Sequence, residues 1–124
     1  GRRGYHWNEV RKLINSVLSA QGVNEDKLMG PFFVKAARDN EGNHLPISQQ
    51  AFESKVLMYL WEDAARMCRR QIFGDVKTYS QLLNKWEDDG LAIFTPALER
   101  DERLRRDYGN LVYPQAQNPE PNAQ

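Results

Sequence analysis

Cysteine is scarce in this sequence, and Cys68 is the only one among 124 residues. A single cysteine excludes an intrachain disulfide framework and a zinc site built on paired cysteines, and it fits a reducing compartment. Long apolar runs are also missing. None approaches the roughly 18 to 20 residues needed to span a bilayer, and residues 1–4 lack the apolar stretch of a signal peptide. We therefore expect a cytoplasmic chain with no membrane partner.

An excess of either charge is missing too. The 17 basic and 17 acidic side chains leave a formal net charge of zero. A protein whose main task is to neutralise DNA phosphates over a broad surface carries a basic excess. The composition therefore disfavours that class, although it is compatible with a local basic patch.

The common catalytic motifs are absent as well. No pair of glycines has the spacing of a phosphate-binding loop, and Gly-x-Ser-x-Gly, His-Glu-x-x-His and the dinucleotide-binding fingerprint are missing. Glu62 and Asp63 are adjacent on a predicted helix, where neighbouring side chains point about 100° apart and cannot share a proton. We expect surface roles for His6 and His44 and a core position for Cys68. The sequence predicts neither a catalytic site nor a metal site.

Helical periodicity is the main positive signal. Apolar residues recur at three- and four-residue steps in two segments, which is the spacing of one face of a helix. The first segment covers residues 6–20 and is followed by Gly22, which is suited to a helix C-cap. The second begins at Ser48, a good N-cap, and runs to about Ile72.

A third helix is predicted after Thr78, which has the form of a capping box with Gln81. Residues 91–94 are a short apolar run that fits either a short strand or a buried connector. We expect a mostly α-helical small bundle of three to four helices over residues 1–113. The tail, residues 114–124, is rich in proline, glutamine and asparagine and has almost nothing to bury, so we expect it to be disordered.

The second helix has an apolar stripe wider than one buried face requires. Leu57, Met58 and Trp61 extend the stripe, so partners must cover more than one side of the helix. Such a helix is either central in a bundle or docked on another domain. These three residues are therefore our candidate interface.

Arg66, Arg69 and Arg70 are the one local concentration of positive charge, near the end of the second helix. The helix dipole favours cations at that end, which is a purely structural explanation. Planar guanidinium groups also suit the phosphate oxygens of a nucleotide or nucleic acid. Both explanations stay open.

Two stretches, residues 22–33 and 52–66, resemble the C-terminal part of McrB-like AAA+ ATPases. In that family a helix leads into a turn of glycine and aromatic residues, here residues 29–33 (Met-Gly-Pro-Phe-Phe). After a variable loop comes a long helix of the form Phe-x-x-Lys-Val-Leu-x-Tyr-Leu-Trp-x-Asp, here residues 52–63. The resemblance covers roughly residues 7–94.

The resemblance implies a small helical lid of the AAA+ type, without the ATPase core that carries the phosphate loop and the magnesium-binding strand. The parent protein would be a ring-forming nucleoside triphosphatase that uses ATP or GTP with magnesium and drives an McrC-like nuclease in modification-dependent DNA restriction. The lid's partners would be the AAA+ core domain of the same protein, neighbouring subunits and, through the assembly, DNA. This fragment would itself hold no cofactor and hydrolyse nothing. Relatives bring the turn after the first lid helix close to the nucleotide, and the equivalent residues here are Lys27, Met29, Gly30, Pro31 and Phe32.

In the lid hypothesis, nucleotide held at Gly30 and Pro31 changes the angle between lid and core, so that the chain acts as a lever. Two other functions fit the sequence. One is an independent helical DNA-binding module of a phage or defence system, in which Arg66, Arg69 and Arg70 contact backbone phosphates. The other is a helical scaffold that recruits another protein through its apolar helix.

Overall fold

A computed structural model describes residues 5–35, 38–43 and 45–113 of the chain. These residues are mostly helical, which confirms the predicted fold class. Within the described ranges there is no strand, and an isolated antiparallel bridge joins Tyr5 and Ile47. None of the helices in these ranges is both long and apolar enough to cross a bilayer. The tail predicted to be disordered and His44 lie outside the described residues.

The chain divides into two compact units, residues 1–69 and residues 70–124. The helical content is divided more finely than the expected three to four helices, because short helices alternate with tight turns. The expectation of one lid-like domain over residues 1–113 stays a prediction.

The first unit begins with helix α1, Trp7–Ala20. Its apolar face is buried as the periodicity predicts, by Trp7, Val10, Leu13, Ile14, Val17 and Leu18. Gly22 has φ +80° and its amide donates to the carbonyl of Ser19, so the chain leaves the helix through a left-handed residue. A single 3-10 turn, Glu25–Lys27, then leads into the loop before the next helix.

The second helix of this unit, which we call the long helix, starts with α2, Gln49–Ala51. The predicted N-cap is confirmed, because the Ser48 hydroxyl accepts a hydrogen bond from the Ala51 amide at 3.0 Å. The helix continues through two π-helical segments, Phe52–Leu57 and Leu60–Ala64. Phe52, Val56, Leu57, Leu60, Trp61 and Ala64 form its buried side.

The long helix ends at Ala64, eight residues before the predicted end at Ile72. Ala65 leaves helical geometry with φ −105° and ψ 11°. The Arg69 side chain then folds back and donates from Nε and Nη2 to the carbonyl of Trp61, at 3.0 and 2.6 Å. This contact satisfies one of the carbonyls that a helix end leaves open, and it stabilises a break that the apolar pattern does not reveal.

Up to residue 113, where the described part of the second unit ends, there are four α-helices: α3, Arg69–Phe73, which starts at the boundary, α4, Tyr79–Asp89, α5, Thr95–Arg100, and α6, Glu102–Val112. Thr78 caps α4 as predicted and accepts from the Gln81 amide at 3.1 Å. The Gln81 side chain accepts from the amide of Lys77, at 2.7 Å, instead of from Thr78. Residues Gly90–Phe94 are a 3-10 turn, so the apolar run 91–94 is a buried connector.

The core of the second unit is built from one apolar side of each of these elements. Phe73 and Phe94 pack with ring centroids 5.7 Å apart in a tilted arrangement. The other fully or nearly fully buried residues are Ile72, Leu82, Trp86, Leu91, Ile93, Ala97, Leu98, Leu104 and Val112. Predicted periodicity and observed burial agree here, since Leu82 and Trp86 are the buried residues of α4.

Candidate functional site

Side chains from two helices hold the main chain of the loop that follows α1. The Asn15 amide binds both backbone groups of Met29: Nδ2 donates to the carbonyl at 2.8 Å, and Oδ1 accepts from the amide at 2.9 Å. Trp7 Nε1 donates to the carbonyl of Pro31 at 3.0 Å, and the Tyr59 hydroxyl donates to the carbonyl of Lys27 at 2.8 Å. We call residues 27–31 with these contacts the clamped turn.

The residues that clamp the turn are also joined by aromatic packing. The Phe33 ring is stacked on Trp7, with centroids 6.3 Å apart, and packs at a tilt on Tyr59, with centroids 5.0 Å apart. Lys55 Nζ lies 6.0 Å from the Phe33 centroid, within cation–π range. Trp7 and Tyr59, which donate to the last and first residues of the clamped turn, therefore both pack on the Phe33 ring.

Lys27 makes an ion pair with Asp63 of the long helix, with Nζ 2.6 Å from Oδ1. The hydrogen bond to this carboxylate and its charge raise the pKa of Lys27 above its ordinary value. Both side chains are nearly half exposed, so the pair adds little stability. Burial, with the nearby Asp63 charge, raises the pKa of Tyr59, which keeps its hydroxyl protonated as a donor to the Lys27 carbonyl.

The structure separates the five residues that the resemblance places near a nucleotide. Lys27 is engaged with Asp63, and the Met29 side chain is buried in the core. Gly30 and Pro31 are exposed at the surface, and Phe32 exposes 90% of its area. The part of the clamped turn open to a ligand is thus its Gly30-Pro31 tip, with Phe32 directly after it.

A groove of about 770 Å³ lies beside this tip. Trp7 and Glu9 from the start of α1 form one part of its wall, and Pro31, Phe32, Lys35 and Arg38 form another. Arg38 also donates from Nη1 to the carbonyl of Gly42 at 3.1 Å. The groove combines apolar and aromatic surface with two cations and one carboxylate.

The three arginines proposed as a phosphate site have different environments. Arg69 binds the Trp61 carbonyl, and its Cζ lies 4.1 Å from the centroid of the Trp61 ring. Arg66 and Arg70 are exposed, and Arg70 belongs to the second unit. The structure gives Arg69 a role in ending the long helix, and DNA binding through all three stays a prediction.

The three residues of the candidate interface on the long helix also differ in exposure. Leu57 is fully buried and Trp61 is 6% exposed. Met58 is 38% exposed and is the member of the set that a partner can reach. Leu57 and Trp61 therefore belong to the buried side of the long helix, and an interface through all three residues stays a prediction.

Cys68 is half-buried beside the end of the long helix, and burial raises the pKa of its thiol. It lines a second cavity, of about 420 Å³, together with Gly22, Lys27 and Met67. Within the part of the chain that the structure describes, no group of three or more histidine, cysteine, aspartate or glutamate side chains could hold a metal ion.

The sequence reasoning missed the residues that form the clamp. Asn15 lies between apolar positions on the face of α1 that was expected to be solvated. Both groups that it binds belong to Met29, which is 14 residues away in the sequence. Tyr59 fits the apolar period of the long helix, and nothing in that period reveals its hydroxyl contact 32 residues away. A polar residue that borders the buried face of a helix was the one available signal for Asn15.

Comparison with known proteins relates the chain to a restriction system. It is similar to the type II restriction enzyme BsuMI component YdiS of Bacillus subtilis (strain 168), with 36% identity over 81 residues. The matched residues are 65% of this chain and 21% of the relative, so the chain spans about a fifth of that protein. No protein-family model matches the chain, and no solved structure matches it. The restriction relationship is supported at this coarse level, and the McrB-like lid stays a prediction.

Proposed function

We propose that the chain is a C-terminal helical lid, or assembly domain, of an McrB-like AAA+ nucleoside triphosphatase that takes part in DNA restriction. Two observations support the proposal: the similarity to a restriction enzyme component, and the glycine-aromatic turn followed by the long helix. The observation that carries it is the clamped turn. Its exposed tip is tied to both helices of the first unit through Trp7, Asn15 and Tyr59.

The clamp provides a physical route from a ligand to the helices. Three carbonyls of the turn are bound by side chains of α1 and the long helix, so the tip cannot move without moving or breaking these contacts. A nucleotide held against Gly30 and Pro31 by the ATPase core would interact differently with two positions of the lid. Such a differential contact is what couples binding to movement.

The rest of the assembly belongs to the same proposal. The AAA+ core would bind ATP or GTP with magnesium, and this chain would contribute the position of the turn. Neighbouring subunits of the ring would contact exposed apolar residues such as Met58, which is 38% exposed. An McrC-like nuclease would be the partner driven by turnover, and DNA would be bound through the assembly.

The test is to mix the separately expressed ATPase core with this chain and to measure hydrolysis of ATP and of GTP. We expect turnover to rise or fall as the chain is added, and the effect to weaken with an Asn15→Leu chain. A Lys12→Leu chain is the control, because Lys12 is an exposed residue of α1 that does not line the groove beside the tip. Equal turnover at every concentration of the wild-type chain would contradict the proposal.

A further inference from the structure

Phe32 is placed unusually for a large apolar side chain. Its neighbour Phe33 packs on Trp7 and Tyr59, whereas Phe32 exposes 90% of its area. The backbone directly before it is held by Asn15 and Trp7. A ring on a fixed backbone loses little conformational freedom when a ligand packs on it, so Phe32 is well prepared to act as a contact.

The cations beside Phe32 are available to a ligand. Lys35 and Arg38 are exposed and line the same groove as Phe32, and neither forms an ion pair with another described residue. Lys27 and Arg69, by contrast, are occupied by Asp63 and by the Trp61 carbonyl. Glu9 is the one carboxylate among the described residues that line the groove. The groove therefore favours an anionic ligand that also has a flat apolar face.

We propose that this groove binds single-stranded nucleic acid, with one base stacked on the Phe32 ring and the adjacent phosphates at Lys35 and Arg38. Every base offers a face to an aromatic ring, and cations that follow the backbone complete the usual single-strand site. The planar guanidinium of Arg38 suits phosphate oxygens, and its Nη1 contact with Gly42 leaves other N–H groups to donate. The groove volume of about 770 Å³ leaves room for more than a side chain.

A duplex fits this arrangement poorly. Its bases are already stacked on both faces, so a base reaches an aromatic ring only after it is unstacked, which costs free energy. The site therefore distinguishes single strands from duplexes without reading sequence. This inference goes beyond the proposed lid function and does not depend on it, because the chain alone carries every residue involved.

The test uses the complete chain and an end-labelled oligothymidylate, with binding followed by fluorescence anisotropy from low to moderate salt. With two phosphate contacts, the slope of log affinity against log salt is about −1.4, so affinity falls about sevenfold between 50 and 200 mM salt. Phe32→Ala is expected to weaken binding at least about fivefold, and Phe32→Trp to keep or strengthen it. Lys35→Ala and Arg38→Ala are each expected to reduce the slope by about 0.7.

Met67→Ala is the matched control, because Met67 is 91% exposed and does not line this groove. It should leave the affinity unchanged, and thermal unfolding should show that Phe32→Ala is folded, since so exposed a ring contributes little to the core. The proposal is overturned if no binding occurs at low salt, or if Phe32→Ala binds like wild type. It is also overturned if a duplex binds more tightly than the single strand and depends on Arg66 and Arg70. Equal competition by free thymidine monophosphate or by an acidic peptide would assign the groove to those ligands instead.

Discussion

The side-chain amide of Asn15 binds Met29 twice, donating to its carbonyl at 2.8 Å and accepting from its amide at 2.9 Å. One side chain thus takes the place of a neighbouring strand, since it pairs with both backbone groups of a single residue. Met29 is itself buried, so its side chain and its main chain are both fixed to the first unit. The exposed Gly30-Pro31 tip follows directly, and its position depends on this pair.

Replacing Asn15 with leucine should destabilise the chain. The variant leaves the amide and carbonyl of Met29 without their partners in a partly buried place, which costs about 1 to 3 kcal/mol. Urea denaturation measures the loss. Asn8→Leu on the same helix should change the free energy of unfolding by less than about 0.5 kcal/mol. Similar losses for the two variants would contradict the role of Asn15.

Tyr59→Phe should lower the free energy of unfolding by about 1 kcal/mol. The variant removes the hydroxyl that donates to the Lys27 carbonyl and keeps the ring that packs on Phe33. The variant should also change the alkaline response. Raised folded-state pKa values for Tyr59 and Lys27 mean that their stabilisation is present below their ordinary values of 10.0 and 10.5 and is lost as pH rises through the folded values. Above pH 10, the melting temperature of Tyr59→Phe should therefore fall less steeply with rising pH than that of wild type.

Arginine at position 69 should be required for its geometry as well as its charge. Lysine there keeps the charge but loses the planar group that contacts the Trp61 ring and reaches its carbonyl from two nitrogens. We expect Arg69→Lys to lower the free energy of unfolding by about 1 to 2 kcal/mol. Arg70→Lys, at an exposed neighbour, should be close to neutral. Chemical denaturation of both variants decides the matter, and equal effects would count against the contact.

Cys68 should react slowly with thiol reagents in the folded chain. Burial raises the pKa of the thiol above its ordinary value of 9.0, so little thiolate is present at neutral pH. The rate of alkylation should rise with pH in proportion to the thiolate fraction and should level off only above that value. The unfolded chain should react faster at the same pH and serves as the control. Rapid alkylation of the folded chain at pH 7 would show a more accessible or more acidic thiol than the structure implies.

Local signals were readable from the sequence and long-range ones were not. Ser48 and Thr78 cap the helices that they were predicted to cap, because a cap depends on residues within one turn. The break after Ala64 was not predicted, since it depends on Arg69 returning to the Trp61 carbonyl while the apolar period continues past it.

The clamped turn shows the same limit at the candidate site. The motif at residues 29–33 was visible, but its spacing does not say which of two adjacent phenylalanines packs on the helices. Phe33 packs inward because Trp7 and Tyr59, from two different helices, meet there. Phe32 is exposed as a consequence, and only the three-dimensional arrangement places Lys35 and Arg38 along the same groove.

The most direct test of the lid proposal is hydrogen–deuterium exchange on the intact protein that contains both this chain and an ATPase core, with and without magnesium and a slowly hydrolysed analogue of ATP or GTP. The account predicts that nucleotide slows amide exchange in the clamped turn and in the segments of α1 and the long helix that bind it, and that Asn15→Leu uncouples the helices from the turn. Unchanged exchange across residues 27–31 in the nucleotide-bound protein would contradict it.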